Sequence, residues 1–220
     1  MKNAIETRMV FDNAVRAMAK AGFDVSQYKL TQSFLRMEKQ VIVGRTNFVF
    51  PILVNESDPI IFNTEQRLNL QDTFVISDVQ WYLANPLSAT DANFRPLTYP
   101  SPVAFTNAAN ASVFNVFYNG KMQISSMNNI LVTAWDVERH YFSPETQATA
   151  PAASDLPLDQ MDGSSYGYYP MEPNICLIGS KNNKIELILP AGVPTLTGAT
   201  FARFGLRLRG ILAQNSTVVN

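Results

Sequence analysis

The stretch Phe48-Val49-Phe50-Pro51-Ile52-Leu53-Val54 sets Phe48, Phe50, Ile52 and Val54 in alternation with Asn47, Val49, Pro51 and Leu53. A period of two over β-branched and aromatic residues predicts a β-strand. Pro51 has no N–H for a ladder, which puts the strand at a sheet edge or on a bulge.

On the N-terminal side of this stretch the pattern is helical. Ile5, Met9, Val10 and Met18 recur near helical spacing over 3–21, with Ala14, Ala17 and Ala21 as small positions and Gly22 as a C-terminal stop. A second helix is predicted over 31–39, where Thr31 caps and Phe34, Leu35 and Glu38 follow at helical offsets. Residues 1–40 thus read as a helical arm, and 41–220 as a β domain.

On the C-terminal side, 41–43 is a short strand and 73–83 a long one with bulk on both faces, which implies burial on both sides. Asn119-Gly120 between the apolar runs 112–118 and 121–125 predicts a type I′ hairpin. Further strands fall at 130–137, 174–178, 184–189 and 201–212. Long loops are expected at 85–111 and 143–173, where function or neighbour contact concentrates. About nine short strands with Gly/Pro turns predict an antiparallel β-sandwich or barrel.

Composition narrows the function. Only 16% of the 220 residues are charged and the formal net charge is -1. So neutral a surface removes long-range steering and permits close packing of like subunits, and the lack of a polybasic run argues against a dedicated nucleic-acid binder. No stretch approaches the roughly 20 apolar residues that span a bilayer, and 1–8 has no signal-peptide core. Cys176 stands alone in Ile175-Cys176-Leu177-Ile178 and reads as a small buried hydrophobe.

Familiar catalytic patterns are missing. His140, the one histidine, lies in Glu138-Arg139-His140-Tyr141 with no serine elbow or HExxH around it. Asp155, Asp159 and Asp162 lack the order of a Ca²⁺ loop. Asp136, Glu138 and Arg139 read as a surface ion pair. No catalytic residue, metal site or cofactor is predicted, and no small-molecule substrate.

Two features suit contacts instead. Tyr166-Gly167-Tyr168-Tyr169-Pro170-Met171 places Tyr166, Tyr168, Tyr169 and Met171 in one loop, and tyrosine offers large contact area at low entropy cost. In the last strand Phe204, Leu206, Leu208 and Leu212 fall on one face, with Arg203, Arg207 and Arg209 on the other. With the leucine face buried, that stripe is expected to look outward, toward a neighbour's carboxylate or a phosphate.

The order of parts resembles virion structural proteins of bacteriophages, in particular small capsid-type proteins of phages infecting Bacteroidetes. The resemblance runs over 30–220: Phe48-Val49-Phe50-Pro51-Ile52-Leu53-Val54-Asn55-Glu56, then 63–72 with Phe74-Val75-Ile76, then Ile185-Glu186-Leu187-Ile188-Leu189-Pro190. It implies a jelly-roll-like capsid or capsid-associated subunit in a virion, made in the host cytoplasm, with copies of itself and other virion proteins as partners and a weak nucleic-acid contact at most. The chain is short for a double jelly roll and its arm is not strongly basic, so a minor capsid, vertex or tail role is left open. The alternative is a β-sandwich binding module, an adhesin or carbohydrate-binding domain using Tyr166, Tyr168, Tyr169 and Trp81.

Overall fold

The computed structural model describes residues 4–54, 62–92, 94, 96–99, 108–142 and 167–217. Among these residues, eight strands pair first with last. β1 (Lys29–Gln40) pairs with β8 (Arg203–Gln214) and β2 (Asn47–Pro51) with β7 (Asn183–Ile188). β3 (Thr73–Ala84) pairs with β6 (Tyr168–Ile178) and β4 (Lys121–Ser126) with β5 (Asn129–Asp136), all antiparallel. Further ladders between β3 and β8 and between β4 and β7 complete two sheets, β1-β8-β3-β6 and β2-β7-β4-β5. A ribbon folded on itself so that each strand meets its mirror partner is a jelly roll.

The sheets close on an aromatic core. Phe48 of β2 meets Phe204 of β8 at 4.9 Å, and Phe50 meets Trp81 of β3 at 5.2 Å, both edge-on. The alternation in β8 works as its sequence predicts: Phe204, Leu206 and Leu208 are buried in this core. β3 is buried along its whole length. One of its faces lines the sandwich. Part of the other lies under the helix α1 (Ala4–Lys20), where Ala14 and Met18 cover Val75, Ile211 and Ala213. Cys176 borders this cluster half-buried, and burial pushes its thiol up to about 11.

Successive connections leave alternate ends of the sandwich. At one end Gly44 N–H bonds the Val193 carbonyl and Phe142 N–H that of Thr98. At the other, Met127 N–H bonds Asn182 and Gly179 N–H bonds Asp72.

Five expectations are corrected. Residues 41–43 are not a strand but the turn that leaves β1, where Val41 N–H bonds the Ala202 carbonyl. Residues 31–39 are strand, not helix: in β1, Leu35 and Met37 point into the core while Arg36 and Glu38 point out, and pairing with β8 along twelve residues overrides local helical spacing. Residues 112–118 are helix, not strand. In α2 (Ala108–Tyr118), Val113, Phe114, Phe117 and Tyr118 bury one face over the core. Asn119-Gly120 therefore ends a helix and is no hairpin tip. A Cβ at Gly120 would sit 2.8 Å from the Phe117 carbonyl oxygen, so the glycine serves close approach. The hairpin of this region is β4–β5, and it turns at Met127-Asn128 with Met127 at φ 54°. Last, the loop expected over 143–173 gives way to β6 from Tyr168 on.

Candidate functional site

Three groups of side chains stand out from the scaffold: a buried charge cluster, a histidine latch, and an exposed strand edge.

The charge cluster lies on the outer face of the first sheet, beyond the part that α1 covers. The register puts Glu38 beside Gly205, and Gly205 beside Tyr82. A Cβ at Gly205 would collide with the Tyr82 ring, so the glycine lets that ring lie flat across β8. The Tyr82 hydroxyl then donates to Glu38 Oε1 at 2.8 Å. Arg36 donates to the same oxygen, with its Nη2 at 2.6 Å, and Arg203 Nη1 donates to Oε2 at 2.9 Å. Arg203 also donates to the Ala89 carbonyl at 2.7 Å and stacks on Phe62 with its guanidinium carbon 3.8 Å from the ring centre. Burial alone would raise the Glu38 carboxyl; the bonds from Arg203 and Tyr82 and the Arg36 charge outweigh it and hold the group below its usual range. Nearby Glu65 accepts from the Glu38 N–H and from Arg67, yet burial leaves its carboxyl raised.

This arrangement corrects the expected outward stripe. Arg203 is 1% exposed and belongs to the interior. The sheet face is outward, but the segments holding Phe62 and Ala89 fold over that end of β8. Arg207 and Arg209 are half-buried further along, stacked over Tyr82 at 4.9 Å and over Tyr168 at 3.6 Å.

The latch is built on a 3-10 turn, Glu138–His140, that follows β5. His140 is buried. Its Nε2 accepts from the Trp135 indole N–H at 2.9 Å, so the proton sits on Nδ1, which donates to the Gly167 carbonyl at 2.7 Å. Gly167 itself is at φ 61°. Burial lowers the imidazole to about 4, so the ring is neutral near pH 7. Through it the end of β5 is tied to the start of β6. Tyr169 meets Trp135 edge-on at 6.1 Å, and Arg139 lies 5.2 Å from each of these two rings.

The exposed edge is β5, last strand of the second sheet. Ile130 is 55% exposed and Leu131 40%, and Met127 projects at the hairpin tip. Toward the other end of the strand lies the Trp135, Arg139 and Tyr169 group.

Of the residues expected at a contact surface, Tyr169 is exposed and Tyr168 is half-buried beneath Arg209. Met171 points inward and joins the core, so no neighbour reaches it, because β6 runs through this position and its alternation carries Met171 into the sandwich. Trp81 is likewise wholly buried and unable to stack on a ligand. Tyr166, Asp155, Asp159 and Asp162 lie outside the described residues. Sequence reasoning passed over Trp135, whose signal was its place beside the lone histidine. Among the described residues no three His, Cys, Asp or Glu side chains are placed to hold a metal ion, and no helix is long and apolar enough to cross a membrane. No protein-family model, curated protein or solved structure matches the chain.

Proposed function

We propose that this chain is a non-catalytic structural subunit that assembles with copies of itself, as a capsid or capsid-associated protein of a bacteriophage virion. The observation that carries the reading is where the exposed apolar side chains sit. Met9 and Phe11 project from α1, which covers one sheet. Ile42 and Val43 project from the β1–β2 turn at one end of the sandwich. Ile130 and Leu131 project from β5, on the side away from β1 and β2. Single exposed apolar residues are ordinary. Exposed apolar residues on three separate sides suit a subunit with several neighbours, whereas a binding module gathers its contacts in one concave place. The jelly roll is common to capsid proteins, lectins and cupins, so the fold by itself does not choose among them.

In this reading Arg207 keeps its guanidinium toward a neighbour's carboxylate or a phosphate, and Tyr169 is a contact residue. The test is one charge at each side in turn: Phe11→Glu, Val43→Glu and Leu131→Glu. At least two of the three lower the yield of assembled particles while leaving the melting temperature of the unassembled subunit unchanged. If all three assemble as the parent does, the reading fails.

A further inference from the structure

The outer face of the first sheet is covered in two places. α1 lies over the end that holds Val75, Ile211 and Ala213, and the segments with Phe62 and Ala89 close over Arg203. Between them the register lines up two rungs across the four strands. One runs Arg36, Arg207, Gln80, Tyr168, and the next runs Phe34, Arg209, Asp78, Pro170. This strip is partly open: Phe34 is 50% exposed, and Arg36, Arg207 and Arg209 are half-buried.

The charges on this face do not balance. Glu38 serves both Arg36 and Arg203, and Asp78 has Arg209 beside it in the register. Arg207 is left over. Its guanidinium carbon lies 4.9 Å from the centre of the Tyr82 ring, and among the described residues no carboxylate pairs with it. On the neighbouring strand it faces a second cation, because Arg36 is its partner in the β1–β8 register and lies 5.6 Å from the centre of the same ring. Like charges directly opposite on a sheet repel unless an anion lies between them.

From this arrangement we infer that Arg207 and Arg36 form a binding site for a phosphate-type oxyanion on the outer face of the first sheet. Both groups are already oriented. Tyr82 supports the Arg207 plane, while Arg36 gives its Nε to Glu38 and the Tyr82 hydroxyl and its Nη2 to Glu38, which leaves Nη1 for an outside acceptor. Little side-chain freedom is then lost on binding. A guanidinium fork offers parallel N–H donors to an oxyanion. Phosphate has oxygens for both groups, whereas a single carboxylate is filled by one fork. The inference goes beyond the assembly reading, which leaves the acceptor of Arg207 open, and it holds whether or not the chain assembles.

Equilibrium dialysis of the full chain against radiolabelled inorganic phosphate, at fixed ionic strength, is the test. The parent is expected to bind phosphate saturably, near one per chain. Arg207→Lys, which keeps the charge and loses the fork, should bind at least tenfold more weakly with an unchanged melting curve. Lys121→Ala, which removes an exposed cation from the other sheet, should bind as the parent does. A single-stranded oligonucleotide as competitor separates the two sources of the group. Displacement at nucleotide concentrations tenfold below those needed with unlabelled phosphate assigns the site to a nucleic-acid backbone, and weaker displacement assigns it to the free anion. The site is wrong if the parent shows no saturable binding, or if Arg207→Lys binds as the parent does. Either failure leaves the particle yields of Phe11→Glu, Val43→Glu and Leu131→Glu to decide self-assembly separately.

Discussion

Glu38 and Arg203, 165 residues apart in the chain, meet in the interior with their side chains 2.9 Å apart. The pair joins β1 to β8 where the segments holding Phe62 and Ala89 close over the sheet. A buried ion pair gains little over a well-packed apolar pair, but removing Glu38 strands the buried Arg203, whereas removing Arg203 leaves Glu38 with Arg36 and Tyr82. Glu38→Ala is expected to cost on the order of 3–5 kcal/mol, and Arg203→Ala less. The double change should cost clearly less than the sum. Urea unfolding of the three variants measures this; additive losses would mean that the pair is not energetically coupled.

Acid should act through His140 before it reaches Glu38. The folded imidazole is lowered to about 4 from 6.5, so between these values the unfolded chain binds the extra proton and stability rises with pH. Stability is full above about pH 6.5 and falls as the pH drops toward 4, by on the order of 2–3 kcal/mol. Protonation puts a hydrogen on Nε2 facing the Trp135 N–H, with Arg139 disfavouring the added charge and Asp136 favouring it. Melting temperature against pH is the measurement. In His140→Gln the slope over that window should disappear. Glu38, held low, loses its contribution only as the pH falls through its own depressed value.

Gly205 is required by the flat Tyr82 ring. Gly205→Ala sets a methyl group against that ring, which has no room to move because its hydroxyl is held by Glu38 and Arg36. Overpacking of this kind costs roughly 1–3 kcal/mol. Gly205→Ala combined with Tyr82→Phe should recover part of that loss, since the released ring is free to shift. Thermal unfolding of the single and double variants decides it.

Along α1 the inner and outer methionines should separate cleanly. Met18 is fully buried against the sheet, whereas Met9 is 59% exposed. Met18→Ala should destabilise by about 2–5 kcal/mol, and Met9→Ala by less than about 0.5 kcal/mol. Deleting the helix would then uncover Val75, Ile211 and Ala213 and lower folding stability itself, not assembly alone. Equal effects of the two methionine changes would mean that α1 does not dock as described.

What was legible in the sequence followed physical range. The period-two alternation of Phe48–Phe50 and of Phe204–Leu208 is a local consequence of facing a core, and it led to the sandwich. Pro51 narrowed β2 to an edge or a bulge, and the sheet order settles on the edge. Where local signals competed, the stronger-looking one misled. Val113, Phe114, Phe117 and Tyr118 already had helical spacing, but Asn119-Gly120 beside β-branched residues suggested a hairpin. In β1 the alternation of Leu35 and Met37 with Arg36 and Glu38 was present, yet a helical spacing also fitted, and only β8 decided between them. The contact of Arg203 with Glu38 depends on register between chain ends, so composition and spacing carried no trace of it. Tyr169 was picked out from its neighbours in sequence, but its partner Trp135 became visible only once β5 and β6 lay on the same side.

Self-assembly of the chain is tested most directly by the mass of the purified protein in solution. Light scattering coupled to size separation, at neutral pH and over a wide concentration range, should show species of many subunits, or a dimer in equilibrium with them. A single species at the mass of one chain, 24.5 kDa, at every concentration would contradict self-assembly.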